Sequence, residues 1–174
     1  MDFNLNKSIE ILERTPVVLE GMLKDLSDEW VMNNEGKNTW SPFDVVGHLI
    51  HGEKTDWIPR MEIILSDKSN KKFVPFDRFA QLRDSKGKKL AQLLKEFKAL
   101  RSKNLKILKS KKLTKKDLNK TGIHPEFGKV TLEELLATWV THDLTHLGQI
   151  VRVMAKQYKK ATGPWSEYLP LLNK

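Results

Sequence analysis

A chain of 174 residues, 39% apolar and 30% charged with a mean hydropathy of −0.49, has the size and composition of one soluble globular domain, expected over residues 1–174. A large multidomain machine is excluded, and no run of about 18 apolar residues offers a bilayer span, so no membrane partner is expected. The absence of cysteine excludes disulfides, thiolate metal ligands and a sulfur nucleophile of the protein's own; any metal must be held by histidine and carboxylate.

The first residues, MDFNLNKSIEIL, carry acidic groups and no basic stretch followed by an apolar block, so a cytoplasmic protein is expected. The formal charge of +9 is uneven: residues 68–120 hold 19 Lys and Arg against 4 Asp and Glu, while the remainder is acidic. Sixteen of those 19 are lysines, and the segment has only Phe73, Phe76, Phe79 and Phe97 as aromatics, without a base-stacking pattern. A solvated helix face is expected there, and nucleic acid is not expected as a partner. The contrasting reading is a non-catalytic binding protein that meets an acidic partner through this segment.

Apolar residues Leu5, Ile9, Leu12, Leu19, Met22, Leu23 and Leu26 recur at helical spacing and predict a helix over 4–28, kinked near Pro16. The stretch NNEGKN interrupts it. SPFD at 41–44 combines Ser41 as N-cap, Pro42 at the first helical position and Asp44 in the capping-box place. It starts a second helix expected over 42–66, with a bend at Pro59. A third is expected over 77–110, from Phe79 to Leu108. The segment that follows, through TGIHPEFGKV, reads as irregular and long enough for a crossover or partial lid. TLEE at 131–134 is a second capping box and opens a last helix running to about 160, ahead of Gly163 and Pro164. Four long helices with almost no strand signal predict an all-α four-helix bundle.

In the last helix the inward seam is Leu135, Trp139, His142, His146, Gln149 and Val153, flanked by an apolar stripe of Leu136, Val140, Leu147, Ile150 and Met154. His142 and His146 therefore face the interior, and residues four apart stack on one side of a helix, the spacing at which two imidazoles share one ion. His48, in VVGHLIHGEKTDW, is the third member if the second and fourth helices are adjacent; Gly52 and Thr55 leave room beside its ring. Three buried imidazoles without a cation leave unpaired polar atoms costing about 1–3 kcal/mol each. One divalent ion removes that cost. Zinc, nickel, manganese and iron all accept three nitrogens, and the ligand set does not choose among them.

The stretches WSPFDVVGHLIHGEKTDW and LLATWVTHDLTHLGQIVRVM resemble the DinB-like superfamily, which includes the YfiT-like and bacillithiol-transferase proteins. In that family a histidine on the second helix and an HxxxH pair on the fourth bind a divalent metal; the matching positions here are His48, His142 and His146. The resemblance spans nearly the whole chain. It implies an up-down-down-up bundle, often a homodimer, with the metal at one end and an open coordination position. It further implies a transferase that presents a small-molecule thiol to an electrophilic substrate in a stress or detoxification setting, the nucleophile arriving with the cosubstrate. Hydrolysis by water activated on the same cation is the rival, weakened by the lack of a carboxylate base visible beside the triad. His51 is expected to be partly exposed or to support the ligands, and His124 to be an ordinary loop residue. Asp143 and Gln149 are expected to orient ligands or substrate at most. Trp40, Trp57 and Trp139 are expected to be core anchors.

Overall fold

A computed structural model describes residues 1–173. Its elements in chain order are α1 (Leu5–Leu23), α2 (Asp28–Met32), α3 (Pro42–Thr55), α4 (Trp57–Leu65), α5 (Ala80–Asp84), α6 (Leu90–Ser110), α7 (Lys115–Leu118), β1 (Thr121–His124), β2 (Gly128–Thr131) and α8 (Leu132–Gln157), followed by two short 3₁₀ turns. Both expected capping boxes form: the Ser41 hydroxyl accepts from the Asp44 amide and the Thr131 hydroxyl from the Glu134 amide, with the acidic side chains reaching back.

The bundle is made by α1, α3 with α4, α6 and α8. Each of α1 and α3 packs on both α6 and α8, so the consecutive helices α1 and α3 are diagonal to one another. Two apolar clusters set the directions. One gathers Leu12 from α1 with Trp57 and Met61, Leu105 and Leu108, and Leu132, Leu135 and Trp139. The other gathers Leu19 and Leu23 with Val45, Val46 and Leu49, Leu93 and Phe97, and Ile150. The start of α1 and of α8 thus lie at the same end as the close of α4 and α6, which is the up-down-down-up arrangement.

Between the two clusters a buried polar network ties all four helices. Arg101 of α6, 1% exposed, donates to Glu53 of α3 (2.8 and 3.1 Å), to Asp143 of α8 (2.6 and 3.0 Å) and to the Leu12 carbonyl of α1 (2.8 Å). Thr15 donates to Asp143, and the Trp139 indole and Asn104 amide donate to Glu53. Leu12 lies four residues before Pro16. Its carbonyl is the one deprived of a helical N–H by that proline, and Arg101 supplies the missing donor.

Several boundaries differ from expectation. The first helix closes at Leu23, and a short α2 occupies part of the following segment. The second breaks at Asp56 (φ −108°, ψ −72°) rather than at Pro59. Pro59 falls in the first turn of α4, where its missing N–H costs nothing. The room at Gly52 is filled by the Trp57 indole, only 3.3 Å from where a Cβ would sit, and not by His48. The third helix begins at Leu90; residues before it form α5 and a turn in which Gly87 takes φ +77°. Residues 111–131 contain α7 and an antiparallel hairpin of β1 and β2, not an irregular crossover. Short polar strands with a two-sided exposure pattern give little alternation to read.

Lysines of the basic segment reach acidic groups elsewhere on the surface: Lys98 pairs with Glu20 and Lys109 with Glu13. No helix among the described residues is long and apolar enough to cross a membrane.

Candidate metal centre

His48 is carried by α3, and His142 and His146 by successive turns of α8. Because α3 and α8 pack side by side, the three rings converge. His48 Nε2 lies 3.1 Å from His142 Nε2, and His146 Nε2 lies 3.2 Å from it. One ligand atom from each ring falls within 4.8 Å of the others, the one such grouping of histidine and carboxylate among the described residues.

These separations fit a shared cation. Three nitrogens bonded at about 2.0–2.1 Å to one ion stand about 3.0 Å apart at octahedral angles and about 3.4 Å apart at tetrahedral ones. Hydrogen bonding among the rings is a poorer solution. The Nδ1 atoms of His48 and His142 are buried without a partner among the described residues, so protons placed there are not accepted and protons placed on Nε2 crowd the same point. His146 is oriented for ligation: its Nδ1–H donates to Gln149 Oε1 at 2.8 Å, which leaves the Nε2 lone pair directed at its neighbours. Burial first, and then the neighbouring imidazoles, push His48 down to about 3 and His142 lower still, so both rings stay neutral and able to ligate at physiological pH. His146 is lowered by burial as well, against the hydrogen bond to Gln149.

The rings open into a cavity of about 570 Å³, within the size range of small-molecule sites. Trp40 lies tilted against His48 and stacks on His146, with ring centroids 4.7 and 6.3 Å apart. Trp57 stands edge-on to His142 at 5.1 Å. The connection between α4 and α5 contributes Phe73 and Phe76, and the hairpin contributes His124 and Phe127. Phe73 is bound to the hairpin through its amide, which donates to the Ile123 carbonyl. The expected partial lid is thus a roof built from two connections joined by main-chain bonds.

Trp139 is a core residue as expected, but Trp40 and Trp57 also form cavity wall. His51 stays outside the cluster, half-buried against Phe76 and 3.9 Å from Asp84. His124 is not an ordinary loop residue: it lines the cavity, its Nδ1 accepting the amides of Glu126 and Phe127, so its proton belongs on Nε2. Gln149 hydrogen-bonds the candidate ligand His146, whereas Asp143 turns away into the Arg101 network. Two cavity residues carried no sequence signal, Asp56 and Arg60. Spaced four apart around a proline, they read as an ordinary surface pair of one helix.

An up-down-down-up bundle with three converging imidazoles at a roofed cavity defines a class of small helical proteins with a candidate site for a divalent metal. The family assignment agrees: residues 11–150 match the model of the DinB superfamily, and the chain belongs to that superfamily. A solved structure described as "YfiT from Bacillus subtilis is a probable metal-dependent hydrolase with an unusual four-helix bundle topology" superposes with a TM-score of 0.74 at 22% identity, covering 88% of this chain and 87% of that one. At that identity the likeness is one of fold. No protein with a curated description matches the chain at a significant level.

Proposed function

We propose that this is a metal-dependent enzyme that activates a low-molecular-weight thiol at His48, His142 and His146 and transfers it to an electrophilic small molecule. The observation that carries the reading is the convergence of the three Nε2 atoms, with separations of 3.1 and 3.2 Å, in the wall of a cavity large enough for more than water. A divalent cation held by three imidazoles keeps a coordination position open and lowers the pKa of a thiol or water that occupies it. The protein's own groups do the rest: Gln149 fixes the His146 ring, Trp40 and Trp57 shield the imidazoles from bulk water, and the aromatic roof holds the electrophile. In the reaction the thiol would release its proton to water, sulfur would bond to the electrophilic carbon, and the leaving group would depart with its electron pair. A chain without cysteine depends on a thiol brought from outside.

Hydrolysis is the second reading, favoured by the description attached to the YfiT structure. Elemental analysis of protein purified without chelator or affinity-tag metal tests the common ground: one divalent ion per chain, lost in His142→Ala, is the expected result. A wild-type protein that binds no divalent metal in a titration overturns both readings. The metal-loaded enzyme is then given an aryl halide with a small thiol, and an aryl ester without one. Thiol consumption that stops with chelator supports transfer, and ester cleavage alone supports hydrolysis.

A further inference from the structure

We propose that Arg60 makes this cavity a receptor for a carboxylate, so that the molecule reacting at the three histidines is a small organic acid with an apolar or aromatic body. The inference rests on the reading of the cavity as the substrate site and adds the chemistry of what enters it.

Arg60 is 7% exposed and lines the cavity. Three contacts hold its guanidinium. Nε is in ionic contact with Asp56 one helical turn earlier, Nη2 donates a long 3.4 Å bond to the Val74 carbonyl, and the plane lies over the Phe73 ring at 5.1 Å. Nη1 donates no hydrogen bond among the described residues. Nε and the face of the guanidinium are therefore occupied and Nη2 is engaged only by the long bond to Val74, while Nη1 keeps its donors for a ligand that Nη2 can share. The fixed orientation means little further ordering is needed on binding.

The other acids at this cavity do not compete for that edge. Glu134 is committed to the cap of α8, accepting from the Thr131 amide at 2.7 Å and its hydroxyl at 2.9 Å. Glu126 is exposed at the hairpin turn. Asp56, raised by burial to about 6 against the pull of Arg60, is a weaker counter-ion than an exposed aspartate. It acts as the positioning residue. His48 is carried by α3 and Arg60 by α4, on the far side of the break at Asp56, so the reacting group and the carboxylate would be held from different helices. Phe73, Phe76 and Phe127 line the path between them.

The test compares 3-phenylpropanoate with 3-phenylpropanamide, equal in shape and different in charge, by quenching of tryptophan fluorescence in EDTA-treated protein, so that no metal can bind the acid. The acid is expected to bind at least about tenfold more tightly than the amide. Arg60→Met should abolish the preference, and Arg60→Lys, which keeps the charge but not the fork, should reduce it several-fold. Equal binding of the two probes by the wild-type protein overturns the proposal, even if the Met variant fails to fold. So does a preference that survives in both variants. His142→Ala separates the two readings: it should lose the metal and keep the preference for the acid. A protein that binds no metal but still selects the acid through Arg60 refutes the proposed metal chemistry and leaves the carboxylate site standing.

Discussion

His146 is held by one side chain, and that makes its orientation testable. Gln149 accepts from Nδ1 and so sets both ring plane and tautomer. In Gln149→Leu the ring keeps its place on α8 but loses this constraint, and affinity for divalent metal should fall about 10–100-fold, measured by competition with a chromophoric chelator. An unchanged affinity contradicts the assigned role. Arg101 is the second residue on which much depends. Replacing it by Met strands Glu53 and Asp143, both fully buried, without a counter-charge. The expected loss is about 3–5 kcal/mol in urea denaturation, far beyond that for the exposed Lys109 to Glu13 pair, where little change is expected. His142, His146 and Gln149 could be picked from the sequence because they occupy the inward seam of one regular helix, and His48 because it matches the helix-two position of the family pattern. Asp56 and Arg60 could not: they lie at and after the break between α3 and α4, and belong to neither histidine pattern.

At the scale of elements, the hairpin and the preceding connection are secured by a close approach. A Cβ on Gly122 would lie 2.5 Å from the Phe73 ring and 3.0 Å from Ile64. Gly122→Ala should therefore lift β1 from α4 at a cost of about 1–3 kcal/mol, seen as faster hydrogen exchange at the Phe73 and Ile123 amides that join the two connections. Wild-type exchange rates would show that the roof accommodates the methyl without moving. α1 presents the reverse situation. A proline inside a helix commonly costs about 3 kcal/mol, yet here the Leu12 carbonyl is already satisfied by Arg101. Pro16→Ala is expected to change stability by less than about 1 kcal/mol, because a restored helical N–H meets an acceptor already in use. The capping boxes at Ser41 and Thr131 were legible because both partners lie within four residues. The hairpin was not, since its strands are four residues long and are defined by their docking on Phe73.

Across the whole molecule, the connection ahead of α3 is clamped to α8 by Glu35, which accepts from Arg152 at 2.9 and 2.7 Å and pairs with Lys156 at 3.0 Å. The hydrogen bond from Arg152, then those charges, hold Glu35 near 2 against the opposing effect of burial. A carboxyl depressed in the folded state stabilises it fully above the unfolded value of about 4.3. That contribution disappears as pH falls through the folded value. The stability difference between wild type and Glu35→Gln should therefore be constant from pH 7 to 5, shrink below 4.5 and vanish near 2, followed by urea denaturation at each pH. A difference independent of pH rules out the ion pair as its source.

The sequence by itself determined four amphipathic segments, two of their starts, the inward placement of His142 and His146, and the need for an external nucleophile if the chemistry is thiol transfer. Each follows from periodicity or composition, which are properties of short stretches. Tertiary structure alone decided that α1 and α3 lie diagonally, that His48 reaches the pair on α8 from 94 residues away, that Arg101 completes the helix Pro16 interrupts, and that two connections close over the imidazoles with Arg60 in their wall. Those outcomes depend on which faces meet, and a face buried by helical spacing is compatible with several neighbours until side-chain packing and buried polar groups select one.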